Sequence, residues 1–146
     1  MTRHLHGLLS LALIAAACAT GTRQPLGDLA GVEWRLTEID GAPAVTSSMG
    51  GGRDAYFQLE ANSARVTGFT TCNRFFGGYE TPGSGRLRFS NIGSTKMACV
   101  EPARSQQEQR FMAVLQSADR YEVAGNTLTL FAGDRVCARF VANRQR

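Results

Sequence analysis

The sequence predicts an α+β fold that is mostly antiparallel β sheet with one helix. Short stretches of alternating apolar and polar residues recur between turn signals along the 146-residue chain. This spacing is typical of neighbouring antiparallel strands rather than of alternating strand and helix units. The segment from Pro102 to about Ser117 repeats its apolar residues at helical spacing instead. The length suits one domain with a core of its own.

Residues 1–17 are predicted to be a signal peptide of the lipoprotein type. A basic start at Arg3 precedes an apolar run from Leu8 to Ala17, and that run is shorter than the roughly 20 residues that cross a bilayer stably. Three alanines then lead into Cys18, which is similar to the sequence around the acylated cysteine of bacterial lipoproteins. We therefore expect Cys18 to carry a lipid that anchors the chain in a membrane.

The residues around Cys18 also bear on location. The residue after the cysteine is Ala19 and not an aspartate. This pattern resembles that of outer-membrane lipoproteins, and it predicts that the protein is located at the periplasmic face of that membrane. Ala15 and Ala17 equally satisfy ordinary signal cleavage, so the alternative is a soluble periplasmic or secreted protein. Both interpretations place the chain in an oxidising compartment.

After a short tether at residues 18–28, the domain is expected to occupy residues 29–142. Asp40 and Gly41 indicate a turn after the first strand, and residues 42–53 indicate a surface loop. The polar first turns of the helix, Arg104 to Arg110, are expected to project into water. The predicted strands are Val32–Ile39, Ala55–Leu59, Ala64–Thr70, Leu87–Ile92, Tyr121–Val123, Leu128–Leu130 and Arg135–Val141.

Charge and residue usage exclude several classes of function. The net charge of +4 falls to +3 once Arg3 leaves with the signal peptide, since 15 basic residues then face 12 acidic ones. No basic cluster indicates nucleic acid. The mature chain has no histidine, which excludes Ser-His-Asp and Cys-His hydrolases and His-based metal sites. We therefore expect a protein that is not an enzyme and that uses neither a cofactor nor a metal.

Three cysteines remain after Cys18, and two of them should pair. A Cys72–Cys99 disulfide would close a loop of about 28 residues and stabilise the fold by roughly 3.6 kcal/mol on the chain-entropy relation. We favour this pairing, although all three connectivities are open. Cys137 is expected on the face of its strand that carries Arg135 and Arg139, an unusual place for a free thiol.

The stretch Thr70–Gly78 and the later Ser94–Cys99 hold the candidate site residues. In one interpretation Asn73 bonds to local backbone and Arg74 pairs with a carboxylate. In the other, a polar mouth lies beside an apolar pocket lined by Phe75, Phe76 and Tyr79. The residues of that mouth would be Asn73, Arg74, Thr95 and Lys96. The first interpretation is favoured because aromatic residues at strand spacing usually belong to a core, and Gly77–Gly78 fits a bulge or a close backbone approach.

These motifs resemble those of the HslJ-type META domain family, also called DUF306. The resemblance covers Leu29 to Val141 and rests mainly on Cys72-Asn73-Arg74-Phe75 and Ser94-Thr95-Lys96-Met97-Ala98-Cys99. It implies a small curled sheet, similar to a half-open barrel, packed around one helix. Thr71 stands where the family often has glycine, which suggests that this position does not need a positive φ. Cys137 lies outside the shared pattern.

The resemblance implies no enzymatic activity and links the chain to envelope and heat-shock stress and to antibiotic tolerance. Our expectation is a monomeric, non-enzymatic lipoprotein that binds a component of the envelope. One alternative is a carrier of a small apolar ligand or lipid in the periplasm. A second alternative is a thiol redox protein in which Cys72 is the reactive group.

Overall fold

The computed structural model describes residues 29–47 and 53–143. The predicted signal peptide, the lipidation site Cys18 and the tether lie outside these residues. The described part forms nine strands and one helix. In chain order they are β1 (Glu33–Ile39), β2 (Ala42–Pro43), β3 (Tyr56–Leu59), β4 (Arg65–Phe69), β5 (Arg74–Glu80), β6 (Arg88–Ser94), α1 (Pro102–Ser117), β7 (Arg120–Ala124), β8 (Thr127–Ala132) and β9 (Arg135–Asn143).

All the strands belong to one antiparallel sheet in the order β6-β5-β4-β3-β1-β9-β8-β7, with β2 paired to β1. The predicted antiparallel sheet with one helix is confirmed, but the predicted half-open barrel is wrong. Closing a barrel needs a continuous hydrogen-bonded ladder between the first and last strands. Among the described residues, the two edges meet at a single isolated bridge between Arg86 and Arg120. The sheet is therefore not closed into a barrel. It is also not strongly curled.

A bulge in β1 explains why its buried residues do not alternate strictly. Leu36 pairs with Phe140 of β9, whereas Glu38 pairs with Arg139, so β1 holds one extra residue at Thr37. The extra residue turns Ile39, rather than Glu38, towards the core. At the start of the domain, the buried Trp34 donates its Nε1 hydrogen to the carbonyl oxygen of Leu29 at 2.9 Å.

The helix covers one face of the sheet and spans the predicted Pro102–Ser117. Its buried stripe includes Phe111, whose ring centroid lies 5.7 Å from that of Phe75 on β5 and 5.9 Å from that of Phe140 on β9. The core is therefore made by aromatic contacts between the helix and strands from both halves of the sheet. In the part of the chain that the structure describes, no helix is both long and apolar enough to cross a bilayer.

The polar first turns of α1 were predicted to project into water, but one of their residues is buried. Gln107 is 4% exposed. Its Oε1 accepts a hydrogen bond from the backbone nitrogen of Val45, and its Nε2 donates to the carbonyl oxygen of Val45 at 3.2 Å. A glutamine satisfied at both ends can be buried at little cost, so a polar residue of this turn anchors the helix to the loop after β2.

Candidate functional site

The structure joins Cys72 and Cys99 in a disulfide, which is the pairing that the sequence favours. Their Cα atoms lie 5.6 Å apart. The bond ties the chain just before β5 to residues 95–101, the connecting segment between β6 and α1. The two cysteine motifs of the sequence therefore meet at one end of the sheet, beside the start of the helix.

Asn73 is the hub of this junction, because both ends of its amide are used. Its Oδ1 accepts hydrogen bonds from the Met97 backbone nitrogen at 2.7 Å and from Thr95 Oγ1 at 2.8 Å. Its Nδ2 donates to the Met97 carbonyl oxygen at 3.1 Å and to the Glu108 carboxylate at 2.8 and 3.1 Å. The side chain is 4% exposed. Asn73 therefore fastens the connecting segment and the helix to β5, and its amide has no free group for a ligand.

Backbone bonds shape the tight turn that precedes Asn73. The Thr70 backbone nitrogen donates to the Asn73 carbonyl oxygen at 2.8 Å, and Thr70 Oγ1 accepts from the Asn73 nitrogen at 3.1 Å. Thr71, inside this turn, has φ +98°. The expectation that this position does not need a positive φ is therefore wrong. A β-branched residue in this region is strained, and the surrounding bonds and the disulfide hold it there.

Glu108 lies against the disulfide. Its Oε2 is 3.5 Å from Cys99 Sγ, and because a disulfide sulfur carries no hydrogen, this is a contact and not a hydrogen bond. The nearest ligand atoms of Cys72, Cys99 and Glu108 lie within 4.8 Å of one another, a spacing that could suit a metal ion. In the disulfide, however, neither sulfur is a thiolate, and thiolates are what such a site would need.

The four residues of the predicted polar mouth do not act alike. Thr95 Oγ1 donates to Asn73 and accepts from the Arg74 backbone nitrogen at 3.2 Å, so it belongs to the junction. The side chains of Arg74 and Lys96 are exposed. Within residues 29–47 and 53–143, neither forms an ion pair, so the carboxylate partner expected for Arg74 is not found there.

The three aromatic residues predicted beside that mouth do not line one pocket. Phe75 is buried in the core, and Phe76, the next residue on the strand, points to the opposite face and is 53% exposed. Tyr79 is buried, and its hydroxyl donates to the Glu60 carbonyl oxygen at 3.0 Å. Gly77 faces a bulge in β6, where Ser90 and Ile92 leave no room for a side chain, so the bulge and the close approach predicted for the glycines are both present.

Cys137 is buried, contrary to the prediction. Leu130 of β8 pairs with Ala138, whereas Phe131 pairs with Val136, so Cys137 is the extra residue of a bulge in β9. The bulge turns its side chain inward, where it is 0% exposed and its Sγ donates to the Leu130 carbonyl oxygen at 3.3 Å. Burial raises the pKa of this thiol above its ordinary value. Cys137 is therefore a core residue, and it forms no disulfide in the structure.

Sequence reasoning missed a group of exposed apolar side chains around the junction. Phe76, Met97 and Val100 are 53%, 65% and 95% exposed. Phe76 pairs with Gly93 of β6, and the Thr95 nitrogen bonds to the Arg74 carbonyl oxygen at 3.0 Å, so the connecting segment runs beside the start of β5. We call Arg74, Phe76, Lys96, Met97 and Val100 the outer patch. One sequence signal could have predicted that Phe76 is exposed: neighbouring residues of a strand point to opposite faces, so Phe75 and Phe76 cannot both belong to the core.

The comparisons with known proteins agree with this fold. The profile of the META domain family matches residues 27–144. A solved structure of a protein from Burkholderia xenovorans has a TM-score of 0.67 and 25% sequence identity, and the match covers 94% of this chain and 100% of that one. A DUF4847 family protein from Bacteroides vulgatus has a TM-score of 0.57 and 17% identity, with 83% and 99% covered, which shows similarity of fold alone.

No curated protein sequence matches the chain. The family assignment therefore rests on the profile match, which spans most of the chain, and on the cysteine and asparagine motifs whose geometry is described above. The chain belongs to the META domain family.

Proposed function

We propose that this protein is a non-enzymatic lipoprotein of the bacterial envelope, anchored through Cys18 at the periplasmic face of the outer membrane. It supports tolerance of envelope stress by binding a component of the envelope. The observation that carries the proposal is the Cys72–Cys99 disulfide at the centre of the family motif. Such a bond persists in an oxidising compartment, where the N-terminal sequence would also deliver the chain.

The geometry of the junction supports a binding role over a chemical one. Asn73 and Thr95 are used in holding the connecting segment, and the sulfurs of Cys72 and Cys99 are bonded to each other. What the junction presents to solvent is a set of apolar and cationic side chains on a fixed backbone. Surfaces of this kind mark sites of interaction.

The carrier alternative has weaker support. The interior between the helix and the sheet is filled by rings in contact, such as Phe57 and Phe140 at 5.0 Å between centroids. Of the aromatics expected to line a pocket, Phe75 and Tyr79 belong to this core and Phe76 points away from it. Native mass spectrometry of the protein purified from cells tests this alternative. One apolar ligand bound per protein would support a carrier function.

Cell fractionation and growth assays test the proposal together. The wild-type chain should sediment with the outer membrane and carry an acylated Cys18, whereas Cys18→Ser should appear in the soluble periplasm. Deleting the gene should sensitise cells to hydrophobic antibiotics, and only the wild-type chain should restore resistance fully. An unmodified N-terminus, or a deletion strain as resistant as its parent, would contradict the proposal.

A further inference from the structure

The outer patch combines apolar exposure with unpaired positive charge. The large hydrophobic side chains that stand out as exposed in the described residues are Phe76, Met97 and Val100. Phe76 lies near the start of β5, and Met97 and Val100 lie in the connecting segment that runs beside it. Single exposed apolar residues are common on any surface, but a group of them is a feature to be explained. Arg74 and Lys96 lie among them, and in the described ranges neither meets a carboxylate at ion-pair distance.

The backbone that carries the patch is held rigidly. The connecting segment is bonded to Asn73 at Met97, to the Arg74 backbone at Thr95 and to Cys72 through Cys99. The exposed side chains therefore do not belong to a segment that folds back to cover them. The bonds that consume the polar groups of the motif hold the backbone of Lys96, Met97 and Val100, and the ladders to β4 and β6 hold Arg74 and Phe76.

We infer that the outer patch docks the domain on the surface of an anionic phospholipid membrane. Arg74 and Lys96 would lie among the phosphate headgroups, while Phe76, Met97 and Val100 enter the boundary between headgroups and acyl chains. This is the distribution of cations and apolar side chains typical of proteins that lie on a membrane rather than cross it. The inference rests on the proposed envelope location.

Size and charge favour a membrane over a protein partner. Three side chains offer a few hundred Å² of apolar surface, whereas a stable protein interface buries about 800 Å² on each partner. A small patch suffices for a second, weak contact when the chain is already tethered to the membrane. The tether between Cys18 and Leu29 has roughly 11 residues and spans at most about 40 Å, so a domain anchored at Cys18 cannot move far from the membrane surface.

Vesicle binding tests the inference with charge and apolar contributions separated. All proteins compared are the mature chain, residues 18–146, with Cys18→Ser, so that neither the apolar signal peptide nor an attached lipid contributes to binding. Binding is measured by co-sedimentation with vesicles of phosphatidylcholine alone and with 30% phosphatidylglycerol, in about 50 mM salt. One variant carries Arg74→Ala and Lys96→Ala, and a second carries Phe76→Ser and Met97→Ser.

The matched control is Arg65→Ala with Arg88→Ala. These exposed cations lie on β4 and β6, the strands on either side of β5, but at the opposite end from the patch, where Arg65 pairs with Gly78 and Arg88 with Glu80. The control removes the same charge from the same sheet. Thermal unfolding of every variant should match the parent, because each substitution is at an exposed position.

The parent and the control should bind anionic vesicles at least tenfold more tightly than neutral ones. Each cation near such a surface contributes about fivefold, so the charge variant should bind anionic vesicles roughly 25-fold more weakly. The apolar variant should lose binding to both compositions. Equal binding by the parent and both patch variants, or equal loss in the control, would overturn the inference.

A cross-linker placed at Met97 in cells distinguishes the occupants. Capture of phospholipid supports the inference, and capture of a protein alone would overturn it in favour of a protein partner. The mass of the N-terminal peptide is read from the same cells. An unmodified Cys18 would contradict the proposed function, whereas an acylated Cys18 without vesicle binding would contradict only the membrane docking.

Discussion

Replacing Thr71 with glycine should stabilise the protein, although it removes a buried side chain from the motif. Thr71 has φ +98° and is 7% exposed. Holding a residue that is not glycine in so sparsely populated a region costs about 1–3 kcal/mol, and a β-branched side chain lies at the upper end. Glycine adopts the same φ without a clash between its side chain and the backbone.

The side-chain contacts that glycine would lose are weak. Thr71 Oγ1 donates to the Arg104 carbonyl oxygen at 3.5 Å, which is long for a hydrogen bond. Losing that bond and the buried methyl group, together with the greater freedom of glycine in the unfolded chain, should cost about 2 kcal/mol. We therefore expect Thr71→Gly to raise the free energy of unfolding by about 1 kcal/mol, or the midpoint of thermal unfolding by roughly 4 °C.

Two controls separate backbone strain from side-chain contacts. Thr71→Ala loses the same hydroxyl and methyl but keeps a Cβ at positive φ, so it should be less stable than the wild type. Gly41→Ala is the reciprocal change, because Gly41 has φ +78° and a Cβ there would touch nothing; it should lose about 1–2 kcal/mol through the backbone alone. Calorimetry of the oxidised proteins measures all three. If Thr71→Gly unfolded at a lower temperature than Thr71→Ala, the strain argument would be refuted.

Three further changes test other parts of the structure. Asn73→Ala should lower the free energy of unfolding by roughly 3 kcal/mol, because it leaves the Glu108 carboxylate without its amide donor. Urea denaturation measures this loss, and a loss under 1 kcal/mol would contradict the role of Asn73 in holding the junction together. The Ser47 backbone hydrogen bond, followed by Arg35, lowers the pKa of Asp54 below 3.8. The ionised Asp54 therefore stabilises the fold above pH 3.8, and this contribution is lost as the pH falls through the lower pKa of the folded state. In Asp54→Asn, the free energy of unfolding should depend less on pH in this range, which acid titration of stability measures. Cys137 should react with iodoacetamide only after unfolding, and labelling at the native rate of an exposed thiol would show that the thiol is not buried.

The sequence predicted most elements because their local signals agreed with the packing. Pro102 and the apolar spacing of α1 determined the helix, and turn residues separated the strands. The wrong face predicted for Cys137 came from a bulge, and bulges depend on pairing between distant strands. An extra residue in β9 turns Cys137 inward, and no local sequence pattern in Arg135–Val141 predicts this bulge.

The site could be predicted only in part, because some of its contacts join residues that are distant in the sequence. The two cysteine motifs could be matched by their residue types, but the role of Asn73 depends on Met97 and Glu108, which meet it only in the folded chain. The prediction of a half-open barrel was wrong because the way the two edges of a sheet meet depends on the whole fold and not on any local stretch of sequence. The strain at Thr71 was missed because the tight turn and the disulfide, rather than the residue itself, impose its φ.

Peptide mass spectrometry of the protein purified from its native cells tests the central claim most directly. The account predicts a Cys72–Cys99 linked peptide, Cys137 as a free thiol and an N-terminal peptide that begins at an acylated Cys18. Recovery of Cys72 and Cys99 as free thiols, with an N-terminus unmodified at Cys18, would contradict it.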